Sequence, residues 1–172
     1  MKKSAYSEAK TAGELTNQIA NMFIDRGLSL TTAESCTGGH LAAALCAEAD
    51  TADFYDIGII TFSDRAKKKM LGVQASTLEK YTAVSEQTVR EMSEGARLRA
   101  GTDMSIAISG YAGPDGGEDG TPAGTVWFAW NFRGQIVTKR EFFSGDCQDV
   151  IAKAVCYSLA GLVEETTAWL RH

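Results

Sequence analysis

Apolar residues recur every three or four positions in several stretches of the chain, and this spacing predicts amphipathic helices. The clearest stretch is 84–100, where Val89, Met92 and Ala96 fall on one face and charged residues separate them. Other stretches are short, apolar and rich in β-branched residues, which is typical of buried strands. The predicted helices cover 12–26, 40–49, 63–72 (a short helix or a turn), 84–100 and 149–171. The predicted strands cover 28–32, 57–62, 104–109, 124–132 and 135–143.

Strands and helices alternate in the first two thirds of the chain, and the last two strands form a hairpin across Arg133-Gly134. This order predicts an α/β fold, a three-layer α/β/α sandwich with a mixed five-stranded sheet, in a single domain spanning 1–172. Ligands of such sheets bind at strand ends, where loops meet helices. Two loops have this character, 33–39 and 109–124.

Composition excludes some classes of protein. The 172 residues carry 17 Lys and Arg against 22 Asp and Glu, a net charge of −5, so we expect no nucleic-acid partner. No apolar run approaches the roughly 20 residues of a membrane-spanning helix, so we expect no membrane partner either. The opening segment 1–10 has lysines but no apolar core of a secretory signal, and the expected location is the cytoplasm.

Histidines are few, which makes a histidine-based catalytic triad an unfavoured interpretation. Four cysteines have no CxxC spacing and form no zinc pattern with His40 or His172, the two histidines. We therefore expect neither a metal nor a cofactor. Any catalytic base has to come from a lysine, a carboxylate, a tyrosine or His40.

The loop 33–39 reads Ala-Glu-Ser-Cys-Thr-Gly-Gly between a predicted strand and a predicted helix. Small residues allow a tight turn, and N–H groups at a helix start offer an anion or oxyanion site. Ser35, Cys36 or Thr37 is then a candidate nucleophile. The alternative is that Ser and Thr only cap the helix.

A run of basic residues follows the second strand, and Lys67 is its candidate functional member. Such a run usually forms a solvated face. A lysine placed in the same cleft as loop 33–39 could instead act as a base, since crowded cationic neighbours lower its pKa.

The segment Ser109–Gly117 is rich in glycine, and N–H groups of such a loop can hold a phosphate. The alternative is a long connection with a flexible tip. Further on, Asp146 is a plausible N-cap of the last helix, and Trp127 and Trp130 should face opposite sides of their strand.

Four ordered segments resemble the C-terminal domain of the CinA (competence/damage-inducible) family over residues 12–168. They are AESCTGG (33–39), TLEKYTAVSEQTVREMSEGA (77–96), SGYAGPDGG (109–117) and TPAGTVWF (121–128). The resemblance implies metal-independent nicotinamide-nucleotide amidase chemistry, with Ser35 as the nucleophile and Lys67 as the assisting lysine. It implies ligand binding by Thr37, Gly38, Gly39, Ser109, Gly110, Ala112 and Gly113.

The sequence departs from that family pattern at four positions. Phe62 and Asp64 stand where the family usually has Tyr and Asn, and Cys147 and Ile151 stand where it often has Arg. Phe62 cannot relay a proton, and Asp64 should raise the pKa of Lys67. We expect the Lys67 amine in the same cleft as Ser35, with an ion pair to Asp64 as the alternative. Losing arginines weakens the binding of an anionic nucleotide.

Three hypotheses follow for function. The first is an active nicotinamide-nucleotide amidase with a Ser–Lys pair, and the second is a relative without amidase activity that binds a nucleotide or a partner. The third, hydrolysis of a changed amide, lies between them. We favour impaired or lost amidase activity, a pyridine nucleotide or another small anion as ligand, and leave self-association open. Ser35 is expected at a helix N-terminus, facing the Ser109–Gly117 loop.

Overall fold

A computed structural model describes residues 10–172. The strands within this range are β1 (Leu30–Glu34), β2 (Tyr55–Ile60), β3 (Met104–Gly110), β4 (Thr125–Phe132) and β5 (Gln135–Phe142). The helices are α1 (Ala12–Ile24), α2 (His40–Cys46), α3 (Asp64–Leu71), α4 (Ala75–Tyr81), α5 (Glu86–Ala100) and α6 (Cys147–Trp169). The expectation drawn from segment 1–10 lies outside the described residues except for Lys10.

The five strands form one mixed sheet in the order β2-β1-β3-β4-β5. Strand β1 pairs in parallel with both β2 and β3, whereas β4 and β5 run antiparallel. The predicted α/β fold with a mixed five-stranded sheet is therefore confirmed. The C-terminal ends of β1, β2 and β3 lie at the same edge of the sheet, where the loops that follow them meet.

Helices cover both faces of the sheet. On one face α1, α2 and α6 enclose a core that includes Phe23, Leu41 and the fully buried Trp130. On the other face α5 packs over Ala33, Ala107 and Ala129, which stand side by side in register across β1, β3 and β4. This row of small side chains lets α5 approach the sheet closely.

Most predicted local signals are confirmed. Ser85 and Asp146 cap α5 and α6, each accepting a hydrogen bond from a backbone N–H in the first turn. Arg133 and Gly134 turn the β4–β5 hairpin with positive φ angles of 53° and 95°, as a two-residue hairpin of this kind requires. Trp127 packs on the α5 face, opposite Trp130.

Some boundaries were wrong. Strand β1 begins at Leu30 rather than 28, because the Leu28 N–H bonds back to Phe23 O and the Ser29 N–H bonds to the Asp103 carboxylate. Strand β2 begins two residues before the predicted 57. Helix α4 was not predicted, since only Thr77 and Leu78 of its seven residues are buried and the segment shows no periodicity. Within residues 10–172, no helix combines the length and apolarity that a membrane crossing requires.

Candidate functional site

A cleft of about 330 Å³ opens at the C-terminal edge of the parallel strands. Ser35 enters it directly after β1, Ser109 and Gly110 enter it from the end of β3, and Lys67 reaches it from α3. The parallel pairing of β1 with β3 brings two of these loops together. Residues separated by more than 70 positions in the sequence thus share one cleft.

Ser35 and Lys67 are in direct contact. The Lys67 Nζ lies 2.9 Å from Ser35 Oγ and donates a second hydrogen bond, of 2.8 Å, to Thr61 O. Lys67 is only 1% exposed although it belongs to a basic run, and its neighbours Lys68 and Lys69 are exposed. The run therefore separates into one buried amine and a solvated face.

Burial lowers the pKa of Lys67 below its ordinary value, because the ammonium form loses its hydration inside the protein. Asp64 acts in the opposite direction but more weakly. The expected direction of the Asp64 effect is therefore confirmed, but burial outweighs it and the pKa of Lys67 is lowered. Asp64 is exposed in the first turn of α3, and no ion pair joins it to Lys67 within residues 10–172. Crowded cationic neighbours are not among the causes of the shift either.

Ser35 is not at a helix N-terminus, which corrects another expectation. It lies five residues before α2, and the intervening turn bonds within itself, from Gly38 N to Ser35 O and from His40 N to Thr37 O. The first turn of α2 is occupied by the buried carboxylate of Glu34, which accepts hydrogen bonds from Leu41 N and Ala42 N. A helix start already holding a carboxylate does not offer a second anion the same donors.

The three candidate nucleophiles of this loop have different surroundings. Burial raises the pKa of the Cys36 thiol to about 12, so the reactive thiolate is disfavoured. The Thr37 hydroxyl donates to Glu34 Oε1 at 2.6 Å and is fully buried. Only the Ser35 hydroxyl contacts an amine. The backbone N–H groups of Cys36 and Thr37 donate to no other residue within the described part of the chain.

The glycine-rich segment forms the facing wall. Ser109, Gly110, Ala112 and Gly113 all line the cleft, whereas Thr37, Gly38 and Gly39 do not. The Ser109 hydroxyl donates to Ala83 O at 2.7 Å and so holds the segment before α5 in place.

The four departures from the family pattern occupy different positions. Phe62 lines the cleft with 77% of its surface exposed, and Cys147 lines it from the first turn of α6. Ile151 is 8% exposed and does not line the cleft. The four departures therefore do not form one cluster.

Several site features were missed at the sequence level. Glu34 was quoted within its motif without a role. Tyr111 and Asp115 line the cleft and belong to the glycine-rich loop expected to hold a ligand, but they were not singled out as contacts. Across residues 10–172, no group of three or more His, Cys, Asp or Glu side chains is arranged to hold a metal ion.

Comparison with known proteins adds an independent line of observation. The model of the CinA C-terminal domain family matches residues 12–166. Protein YdeJ of Escherichia coli is 54% identical over 157 residues, covering 91% of each chain. The nicotinamide-nucleotide amidohydrolase PncC of Escherichia coli is 43% identical over 153 residues, covering 88% of this chain and 93% of PncC. A crystal structure of competence damage-inducible protein A from Klebsiella pneumoniae superposes with a TM-score of 0.92 at 63% identity, covering 93% of this chain and 99% of that one.

Proposed function

Since this chain belongs to the CinA C-terminal domain family, we propose that it is a Ser–Lys amidohydrolase of nicotinamide compounds that turns over nicotinamide mononucleotide poorly. The observation that carries the proposal is the 2.9 Å contact between Ser35 Oγ and the amine of the buried Lys67. PncC, by its name, acts on nicotinamide nucleotides. The similarity to PncC is the reason for proposing nicotinamide compounds as the amide substrates.

The buried lysine explains how a serine is activated without a histidine. A neutral amine accepts the Ser35 proton, and burial favours the neutral form because it lowers the pKa of Lys67. The hydrogen bond from Nζ to Thr61 O fixes the amine, so its lone pair can be directed at the hydroxyl. Activation of this kind does not require a hydroxyl group at position 62.

The reaction then proceeds in two steps, acylation of Ser35 and hydrolysis of the acyl ester. Ser35 Oγ attacks the amide carbon while its proton moves to Lys67, and the oxyanion is met by the N–H group of Cys36, which lines the cleft beside Ser35. Lys67 returns that proton to the departing nitrogen, so ammonia leaves and an acyl ester on Ser35 remains. Lys67 next accepts a proton from water, the hydroxide attacks the ester, and the proton returns to Ser35 Oγ as the carboxylic acid leaves.

Weak turnover of the mononucleotide follows from the scarcity of cationic side chains that could bind its phosphate. Within residues 10–172, Lys67 is the only cationic side chain that lines the cleft, and its amine contacts Ser35 and Thr61. Each charge-assisted hydrogen bond that a phosphate would lack is worth about 1.5–3 kcal/mol. That corresponds to roughly tenfold or more in affinity per missing contact.

The test is ammonia release from nicotinamide mononucleotide, with Escherichia coli PncC measured in parallel. We expect a rate well below that of PncC, abolished in Ser35→Ala and in Lys67→Met. Labelling of Ser35 by a fluorophosphonate, read by mass spectrometry, reports the activated hydroxyl independently of the substrate. Ammonia release that survives Ser35→Ala, or a Ser35 that is not labelled faster than in Lys67→Met, contradicts the amidohydrolase. A rate equal to that of PncC contradicts poor turnover of the nucleotide.

A further inference from the structure

A second cavity adjoins the cleft on the side of α6. It has a volume of about 470 Å³ and shares Ala112, Gly113 and Cys147 with the cleft. A ligand whose amide reaches Ser35 therefore has room to extend past Cys147 toward the start of α6. The groups around this extension decide which substituent the amide can carry.

Those groups are acidic rather than basic. Asp115 lines the cleft and Asp146 lines the second cavity, and within residues 10–172 no arginine lines either. The N-terminus of a long helix such as α6 would normally attract an anion. Here Asp146 accepts a hydrogen bond from Asp149 N at 2.9 Å, and Asp149 accepts one from Asp146 N at 3.0 Å. Two carboxylates therefore already hold this helix start and disfavour a phosphate there, and the amine of Lys153 is bonded to Ser144 O at 2.6 Å.

The aromatic residues of the cleft favour the opposite charge. Phe62 lines the cleft wall with 77% of its surface exposed, and Tyr111 lines the same cleft. A flat cation stacked on such a ring gains from its quadrupole. The cleft thus combines two aromatic side chains with the Asp115 carboxylate, and the Lys67 amine that lines it contacts Ser35.

We infer that this site selects a pyridinium amide that carries no phosphate, the nucleoside form of nicotinamide, over the phosphorylated nucleotide. The positive ring lies between the aromatic wall and the carboxylates, and the sugar extends toward Asp146 without bringing an anion there. The inference rests on the proposed function, because that function places the amide at Ser35.

The test measures binding in the Ser35→Ala protein, so that it does not depend on turnover. Nicotinamide riboside and nicotinamide mononucleotide are titrated by calorimetry at low ionic strength. We expect the riboside to bind at least about tenfold more tightly, because the phosphate of the mononucleotide would lie near the Asp146 carboxylate, and within residues 10–172 no cationic side chain lines the second cavity. Equal or tighter binding of the mononucleotide, or no binding of either probe at millimolar concentration, overturns the inference.

Charge variants in the same background assign the selectivity to residues. Asp115→Asn with Asp146→Asn should reduce the preference severalfold, and Asn keeps the helix cap of Asp146. Cys147→Arg should reduce it further by supplying a guanidinium at the cleft. The matched control is Asp56→Asn, an exposed carboxylate at the opposite end of β2, which should leave the preference unchanged. A preference unaffected by the Asn pair and by Cys147→Arg overturns the assignment to charge. Absent ammonia release with intact selectivity overturns only the amidohydrolase.

Discussion

The contact between α3 and α5 determines where the Lys67 amine lies, and a single methyl group can disturb it. Gly95, in the middle of α5, faces the carbonyl oxygen of Leu71 at the end of α3. A Cβ at Gly95 would lie far inside contact distance of that oxygen. The helices would have to separate by about 1 Å or more to restore an ordinary C···O spacing of about 3.3 Å. Lys67 lies one helical turn before Leu71, so its backbone would move with the helix.

Gly95→Ala should therefore cost both stability and reactivity. Overpacking costs about 1–3 kcal/mol, of which the better helix propensity of Ala returns up to about 1 kcal/mol. A net loss of up to about 2 kcal/mol lowers Tm by about 4–8 °C in a chain of this size. A displacement of about 1 Å at the Ser35–Lys67 contact costs up to about a hundredfold in rate.

The matched control is Gly161→Ala in α6. A Cβ there would collide with the indole of Trp130, so the steric conflict is comparable. It lies on the other face of the sheet, about 20 Å along α6 from Cys147. Both variants should melt lower than the wild type, but only Gly95→Ala should slow fluorophosphonate labelling of Ser35, measured well below either Tm. Labelling at the wild-type rate in a destabilised Gly95→Ala protein would refute the reasoning, as would equal slowing in Gly161→Ala.

Three further predictions concern buried charge. Between its lowered pKa and the ordinary 10.5, Lys67 carries fewer protons in the folded than in the unfolded chain. The free energy of unfolding of the wild type relative to Lys67→Met should therefore rise with pH in that window, by at most about 1.4 kcal/mol per pH unit, and stay constant below it. Urea unfolding at several pH values measures this difference. A difference in unfolding free energy that falls as the pH rises contradicts the prediction. Glu34→Gln should lose about 2 kcal/mol in urea unfolding, because an amide NH₂ replaces one of the acceptors that bind Thr37 and the α2 N–H groups; an unchanged midpoint would show that the charge is not needed. Ile151→Arg should cost several kcal/mol by burying an unpaired guanidinium, whereas Cys147→Arg at the cleft should cost about 1 kcal/mol or less; equal unfolding curves would exclude this difference.

Local sequence signals were sufficient for the arrangement of elements. The alternation of apolar strands with amphipathic helices predicts the α/β fold, because the strands need cover on both faces of the sheet and each helix has one apolar face to supply it. The caps at Ser85 and Asp146 and the turn at Arg133-Gly134 depend on neighbours within a few residues. Helix α4 is the exception and was not predicted, because it buries only two side chains and shows no apolar periodicity.

The motif around Ser35 and the glycine-rich loop could be singled out from the chain alone, and strand ends at one sheet edge bring such loops together. The basic run alone does not show that Lys67 is buried, since burial depends on how α3 packs and its sequence neighbours are solvated lysines. The resemblance is what singled Lys67 out as a partner of Ser35. Asp64 raises the pKa of Lys67 as expected, but the burial produced by this packing has the larger effect and lowers that pKa. Positions 147 and 151 lie one turn apart on α6, yet Cys147 lines the cleft whereas Ile151 is buried. Sequence thus determined which elements form and which groups exist, whereas tertiary structure decided which of those groups lose their water.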